Sequence, residues 1–211
     1  FKLLLSSNPG LQLVSVRVAS LNDDTFPASG YAALRCLSLT LYGHSQNSRN
    51  PLQLDWLARL PTLETLGLFR RDAPNFAMQP CSRSLRLPNL KILRLRADNV
   101  DLARLELPNL ESLELLTCAQ SLREIEQIAP SLRELRAQLT GSITQELADA
   151  KQPLLLRNLR QLSLRSFLPI EELLSPLFVR FAAERPAMEL QLNDLSLRDC
   201  FAAFASCRFP G

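Results

Sequence analysis

Histidine occurs once in the 211 residues, at position 44, within Gly43-His44-Ser45-Gln46-Asn47. A Cys–His or Ser–His nucleophile would have to use that one imidazole, which has no cysteine or acid beside it in sequence. It is read as a solvated or structural residue. Glycine is scarce at six residues, and none are spaced as G-x-x-x-x-G-K or G-x-G-x-x-G, so no phosphate-cradling loop is present. The five cysteines (36, 81, 118, 200 and 207) include no C-x-x-C, and Cys200 with Cys207 is a lone pair. That spacing argues against a zinc site and against a disulfide framework. Glu171-Glu172 and Asp23-Asp24 are adjacent acids, which do not share a helix face and so do not form a catalytic pair. The expectation is a protein that is not an enzyme and carries no cofactor and no metal.

Long apolar runs are missing too. Stretches such as Leu3 to Leu5 and Leu154 to Leu156 fall far short of the roughly 18 residues a membrane span requires. Phe1-Lys2-Leu3-Leu4-Leu5 is too short for a signal peptide, and no small-residue cleavage site follows it. None of the ten asparagines begins an Asn-x-Ser/Thr sequon. With the unclustered cysteines, this points to an intracellular protein, cytoplasmic or nuclear. The chain does not begin with Met, and it reads as one domain, 1–211, cut from a longer protein. Lysine is rare, at positions 2, 91 and 151, so 24 − 3 = 21 of the basic residues are arginine. The net charge of +3 does not call for nucleic acid. Arginine favours planar bidentate pairing at partly dry interfaces.

What the sequence has is leucine at fixed spacing. Leu-x-x-Leu-x-Leu is intact at Leu34/Leu37/Leu39, Leu63/Leu66/Leu68, Leu90/Leu93/Leu95, Leu110/Leu113/Leu115 and Leu159/Leu162/Leu164. Looser copies are Leu11/Val14/Val16, Leu132/Leu135/Ala137 and Ala187/Leu190/Leu192, the last competing with a shifted Leu192/Leu195/Leu197 register. First positions at 11, 34, 63, 90, 110, 132, 159 and 187 give steps of 20 to 29 residues. Proline punctuates the approach to four copies, at Pro61, Pro88, Pro108 and Pro130.

This pattern resembles the leucine-rich-repeat family over nearly the whole chain. Two copies extend to the fuller signature ending in cysteine, at Cys118 and Cys200, which are read as buried core thiols; Tyr42, Arg71, Asp98, Thr140 and Phe167 stand at that position elsewhere. The resemblance implies an α/β solenoid of about eight irregular repeats, a horseshoe with a parallel inner sheet and helices or turns on the outer side. Helix starts are expected at Asn50-Pro51 for Leu52 to Leu60, at the capping boxes Ser121-x-x-Glu124 and Ser142-x-x-Gln145, and at Ser175-Pro176. The short step between Leu90 and Leu110 leaves Ala97 to Leu105 as a turn or 3₁₀ segment.

In each repeat the residues flanking the core pair should line the concave surface. There Phe69, Ile92 and Leu116 are expected as exposed apolar groups beside Arg94, Arg96, Glu114, Glu134 and Arg136. Apolar anchors ringed by arginine are the makeup of a protein-binding hot spot. Arginines on this face could also take an acidic or phosphorylated segment. Few aromatics interleave the arginines and acids sit between them, which disfavours nucleic acid. The irregular repeat lengths and occasional cysteine ending resemble the repeat region of F-box leucine-rich-repeat proteins. That resemblance implies substrate recognition for a ubiquitin ligase, with a Skp-type adaptor docked through an F-box upstream of residue 1. The alternative is a ligand-sensing, receptor-type or innate-immune repeat domain that recruits no ligase.

Overall fold

The structure is a computed structural model and describes residues 8, 10–18, 31, 33–41, 52–70, 77–79, 81–96, 98–115, 121–138, 156–165 and 189–193. In chain order the elements are β1 (Leu13–Val18), β2 (Cys36–Leu41), β3 (Leu52–Gln53), a 3₁₀ turn (Asp55–Arg59), β4 (Thr65–Arg70), β5 (Ala77–Gln79), β6 (Leu85–Arg86) and β7 (Ile92–Arg96). There follow β8 (Asp98–Val100), β9 (Leu105–Glu106), β10 (Ser112–Leu115), helix α1 (Leu122–Ile128), β11 (Glu134–Gln138), β12 (Gln161–Arg165) and β13 (Glu189–Asn193).

The last three residues of each Leu-x-x-Leu-x-Leu alternate, and they form one eight-stranded parallel sheet in the order β1-β2-β4-β7-β10-β11-β12-β13. Their inward residues stack in two columns. One runs Val14, Leu37, Leu66, Leu93, Leu113, Leu135 and Leu162; the other runs Val16, Leu39, Leu68, Leu95, Leu115 and Ala137, and the backbone register continues to Leu164, Leu190 and Leu192. The last pair selects Ala187/Leu190/Leu192 over the shifted register. The leading leucines, Leu34, Leu63, Leu90, Leu110, Leu132 and Leu159, are all buried in the same core.

The three-residue gap between the first two leucines has a backbone cause. At each strand entry two consecutive N–H groups donate to one carbonyl of the preceding rung. Lys91 and Ile92 share Glu64 O, Glu111 and Ser112 share Lys91 O, and Arg133 and Glu134 share Glu111 O. The register stays one-to-one from rung to rung, so this is a carbonyl shared at each strand entry. Neither of the two entry residues is buried, and the alternation resumes after them.

The return segments overturn the expected fold class. β3, β5 and β8 form a second parallel sheet, and β6 with β9 forms a third. Among the described residues α1 is the one α-helix, of seven residues, beside the single 3₁₀ turn. The chain is a parallel β-solenoid and not an α/β leucine-rich-repeat horseshoe. The reason is local: Leu85-Arg86-Leu87 and Leu105-Glu106-Leu107 read buried, exposed, buried, which is the period of a strand and not of a helix. The consequence is global. A horseshoe bends because outer helices about 10 Å wide sit behind strands about 4.8 Å apart. Where both sides of a rung are strands, as at β3, β5, β6, β8 and β9, that mismatch vanishes. The leucine-rich-repeat resemblance goes with it. So do the F-box reading of substrate recognition for a ubiquitin ligase and the receptor-type alternative, both of which rested on that scaffold.

Particular segments also differ from expectation. Leu52 to Leu60 is a short strand followed by the 3₁₀ turn, and no cap side chain starts a helix there. Ala97 to Leu105 contains β8 and reaches β9. The capping box at Ser121 is formed: its hydroxyl accepts from Glu124 N at 3.2 Å, and its own N–H donates to Glu124 Oε2 at 2.8 Å. The helix starts at Ser142 and Ser175, together with His44, Cys118 and Cys200, lie outside the described residues.

Candidate functional site: the outward face of the large sheet

Register brings seven of the eight expected binding residues onto adjacent strands; Leu116 lies outside the described residues. Ile92 of β7 lines up with Thr65, Ser112 and Glu134. One step along, Gly67, Arg94, Glu114, Arg136 and Ser163 form a second row, and Phe69 pairs with Arg96 in a third.

The side chains are more engaged with one another than the sequence suggested. Phe69 and Ile92 are half-buried, not exposed anchors. The Phe69 ring folds back over Gly67, so closely that a Cβ there would lie 2.7 Å from Phe69 Cε2. Glycine at 67 is what lets the ring lie flat on the sheet. Arg96 covers it, with its guanidinium carbon 5.5 Å from the ring centroid, a cation–π contact of about 0.5–1 kcal/mol. The same guanidinium donates to Glu114 Oε1 from Nε at 2.9 Å and from Nη2 at 2.7 Å. Arg94 reaches the other carboxylate oxygen at 3.9 Å. Glu114, at 19% side-chain exposure, is thus clamped by two arginines that are each about half exposed. Glu134 accepts from Ser112 Oγ at 3.2 Å. Arg136 is exposed and forms no ion pair among the described residues.

The first residues of the strand entries add a line that sequence reasoning missed. It runs Arg35, Glu64, Lys91, Glu111, Arg133 and Arg160, each linked to the next by a backbone hydrogen bond. Glu64 Oε1 accepts from Arg35 at 2.6 Å, and Oε2 accepts from Lys91 at 3.0 Å. These two bonds, Lys91 first, hold the Glu64 carboxyl below the usual carboxylate range. The signal was present as the first x of Leu-x-x-Leu, which a strict alternation hides.

At the turn edge a separate line is structural. The residue just before the leading leucine reaches back one rung: Asn89 Nδ2 donates to Pro61 O at 2.8 Å and Asn109 Nδ2 to Pro88 O at 2.7 Å. Ser131 Oγ donates to Pro108 O at 2.7 Å and Asn158 Nδ2 to Pro130 O at 2.9 Å. This ladder satisfies carbonyls that the sheet leaves open.

Neither described cysteine is poised for chemistry. Cys81 is buried, and burial together with the Asp55 charge pushes its thiol up to about 11, which keeps it protonated and a poor nucleophile. Cys36 is half-buried in the sheet row between Leu13 and Thr65. Among the described residues no three His, Cys, Asp or Glu side chains come together as a metal site, and no helix is long and apolar enough to cross a membrane. Comparison with protein-family models, with curated proteins and with solved structures finds no match.

Proposed function

We propose that this chain is a non-catalytic binding module that takes a protein partner on the outward face of its eight-stranded sheet. The observation that carries the reading is the register. It sets Arg94, Glu114 and Arg136 side by side across three neighbouring strands, next to a buried Ser163 on the fourth, while the described leucines of the columns turn inward. A rigid row of polar side chains at about 4.8 Å spacing presents donors and acceptors at fixed intervals, a template for hydrogen-bonded recognition. The half-buried Phe69 and Ile92 supply apolar area beneath those groups, in the manner of an interface whose aromatic core is rimmed by polar residues.

The test is site-specific photo-crosslinking in the cell. A photoreactive residue at Ser15 or Gln161 samples the face, and one at Ser82 or Asn158 samples the turn edges. The expected result is one discrete protein adduct from the face positions and none from the edges. Adducts from the edges alone, or from all four positions equally, would overturn the reading.

A further inference from the structure

The sheet face contains one place where the charge arrangement works against the fold. Along the line of strand-entry residues the sign alternates from Arg35 through Glu64, Lys91 and Glu111 to Arg133, and then it fails: Arg160 follows Arg133. The two residues are on adjacent rungs, joined by the Arg160 N to Arg133 O hydrogen bond of 2.7 Å. Like charges directly opposite one another on neighbouring strands are destabilising. Arg133, Arg160 and the nearby Arg136 are all exposed, and none forms a side-chain ion pair among the described residues. Arg94 and Arg96, by contrast, are already committed to Glu114.

Resting on the binding-face reading above, we propose that Arg133, Arg136 and Arg160 form the anion-accepting part of the face, and that its occupant is an acidic segment of a partner protein. Three guanidinium forks with no ion pair among the described residues fit carboxylates bidentately. Arg133 lies at the entry to β11 and Arg136 within it, three residues and about 10 Å apart, so consecutive acidic side chains of an extended segment can reach both. A nucleic acid fits less well. Glu111 and Glu114 border the same arginines, and they would oppose a continuous phosphate backbone while discrete carboxylates can avoid them.

Arg160→Glu separates this from a structural role, because it restores the alternation. The expected outcome is a thermal midpoint equal to or above that of the parent chain, together with a loss of about ten-fold or more in affinity for a fluorescein-labelled oligoglutamate peptide, read by polarisation. Arg133→Gln with Arg136→Gln should lose affinity comparably, and Arg94→Gln with Arg96→Gln should lose less than about three-fold. Oligoglutamine and oligothymidylate of the same length are the comparison probes, and both should bind more weakly than oligoglutamate. Oligoglutamate affinity unchanged by Arg160→Glu, a larger loss from the Arg94/Arg96 pair, or tighter binding of oligothymidylate would each overturn the proposal. If photo-adducts form on the face but oligoglutamate does not bind, the acidic occupant is wrong and the binding face stands; if the adducts also fail, both fall.

Discussion

At the scale of single residues, charges near the turn edge link one rung to another. Asp55 opens the 3₁₀ turn, and its carboxylate accepts from Ser82 N at 3.1 Å and from Ser82 Oγ at 2.6 Å. Partial burial pushes this carboxyl up, but the Ser82 hydroxyl and N–H, with Arg83 nearby, outweigh it and hold it below its ordinary 3.8. A carboxyl depressed in the folded state adds stability that is fully present above its unfolded value and is lost as pH falls through the folded one. Asp55→Asn should therefore lower stability at neutral pH and flatten the loss of stability below roughly pH 4. Urea unfolding from neutral to acid pH reads this directly, and an unchanged acid slope would mean the Ser82 contacts are not made in solution. Glu64 shifts in the same direction through Lys91 and Arg35, so the acid slope that remains in the Asp55 variant is where its influence would appear.

At the scale of elements, the turn-edge ladder depends on the side chain just before the leading leucine being a donor. Asn109→Asp replaces the Nδ2 donor facing Pro88 O with a carboxylate oxygen, so two acceptors confront each other. The expected cost is about 1–3 kcal/mol at neutral pH, partly recovered at acid pH where the carboxyl regains a proton to donate. Equal stability of Asn109→Asp and the parent chain at neutral pH would remove the ladder from the account. These same turns show how far the sequence could be read. Leucine spacing located the eight strands of the large sheet and their inward columns, because burial of Leu37, Leu66 or Leu113 depends on periodicity alone. The return segments were harder to read. Leu85-Arg86-Leu87 and Leu105-Glu106-Leu107 are too short for their alternation to stand out, and a family resemblance carried by the strands said nothing true about them. The one helix was legible because Ser121 and Glu124 cap it through local contacts. Of the candidate site, the register of Arg94, Glu114 and Arg136 followed from the strands. The burial of Phe69 did not, because it depends on Gly67 beneath the ring and Arg96 above it, one of them on another strand.

At the scale of the whole molecule, a solenoid has no contacts that skip a rung, so its stability is close to a sum of rung and neighbour-interface contributions. The two ends are coupled through every interface between them. Leu113 lies between Leu93 and Leu135 in the inward column and is 1% exposed. Leu113→Ala should cost about 2–5 kcal/mol, from lost burial and the cavity left behind. Because that loss falls on a single central interface, it should also weaken the coupling between the halves. Trp56, the single tryptophan, is buried on the N-terminal side of that interface, so its fluorescence reports one half while far-UV circular dichroism reports the whole. The two probes should trace one coincident transition in the parent chain and separate transitions in Leu113→Ala. Val14→Ala, on the end strand of the sheet, removes less apolar area and interrupts no path between rungs. It should lower the midpoint while leaving the two probes coincident. Coincident transitions in Leu113→Ala, with an unchanged denaturant slope, would mean the chain unfolds as one cooperative block and that rungs are not its units of stability.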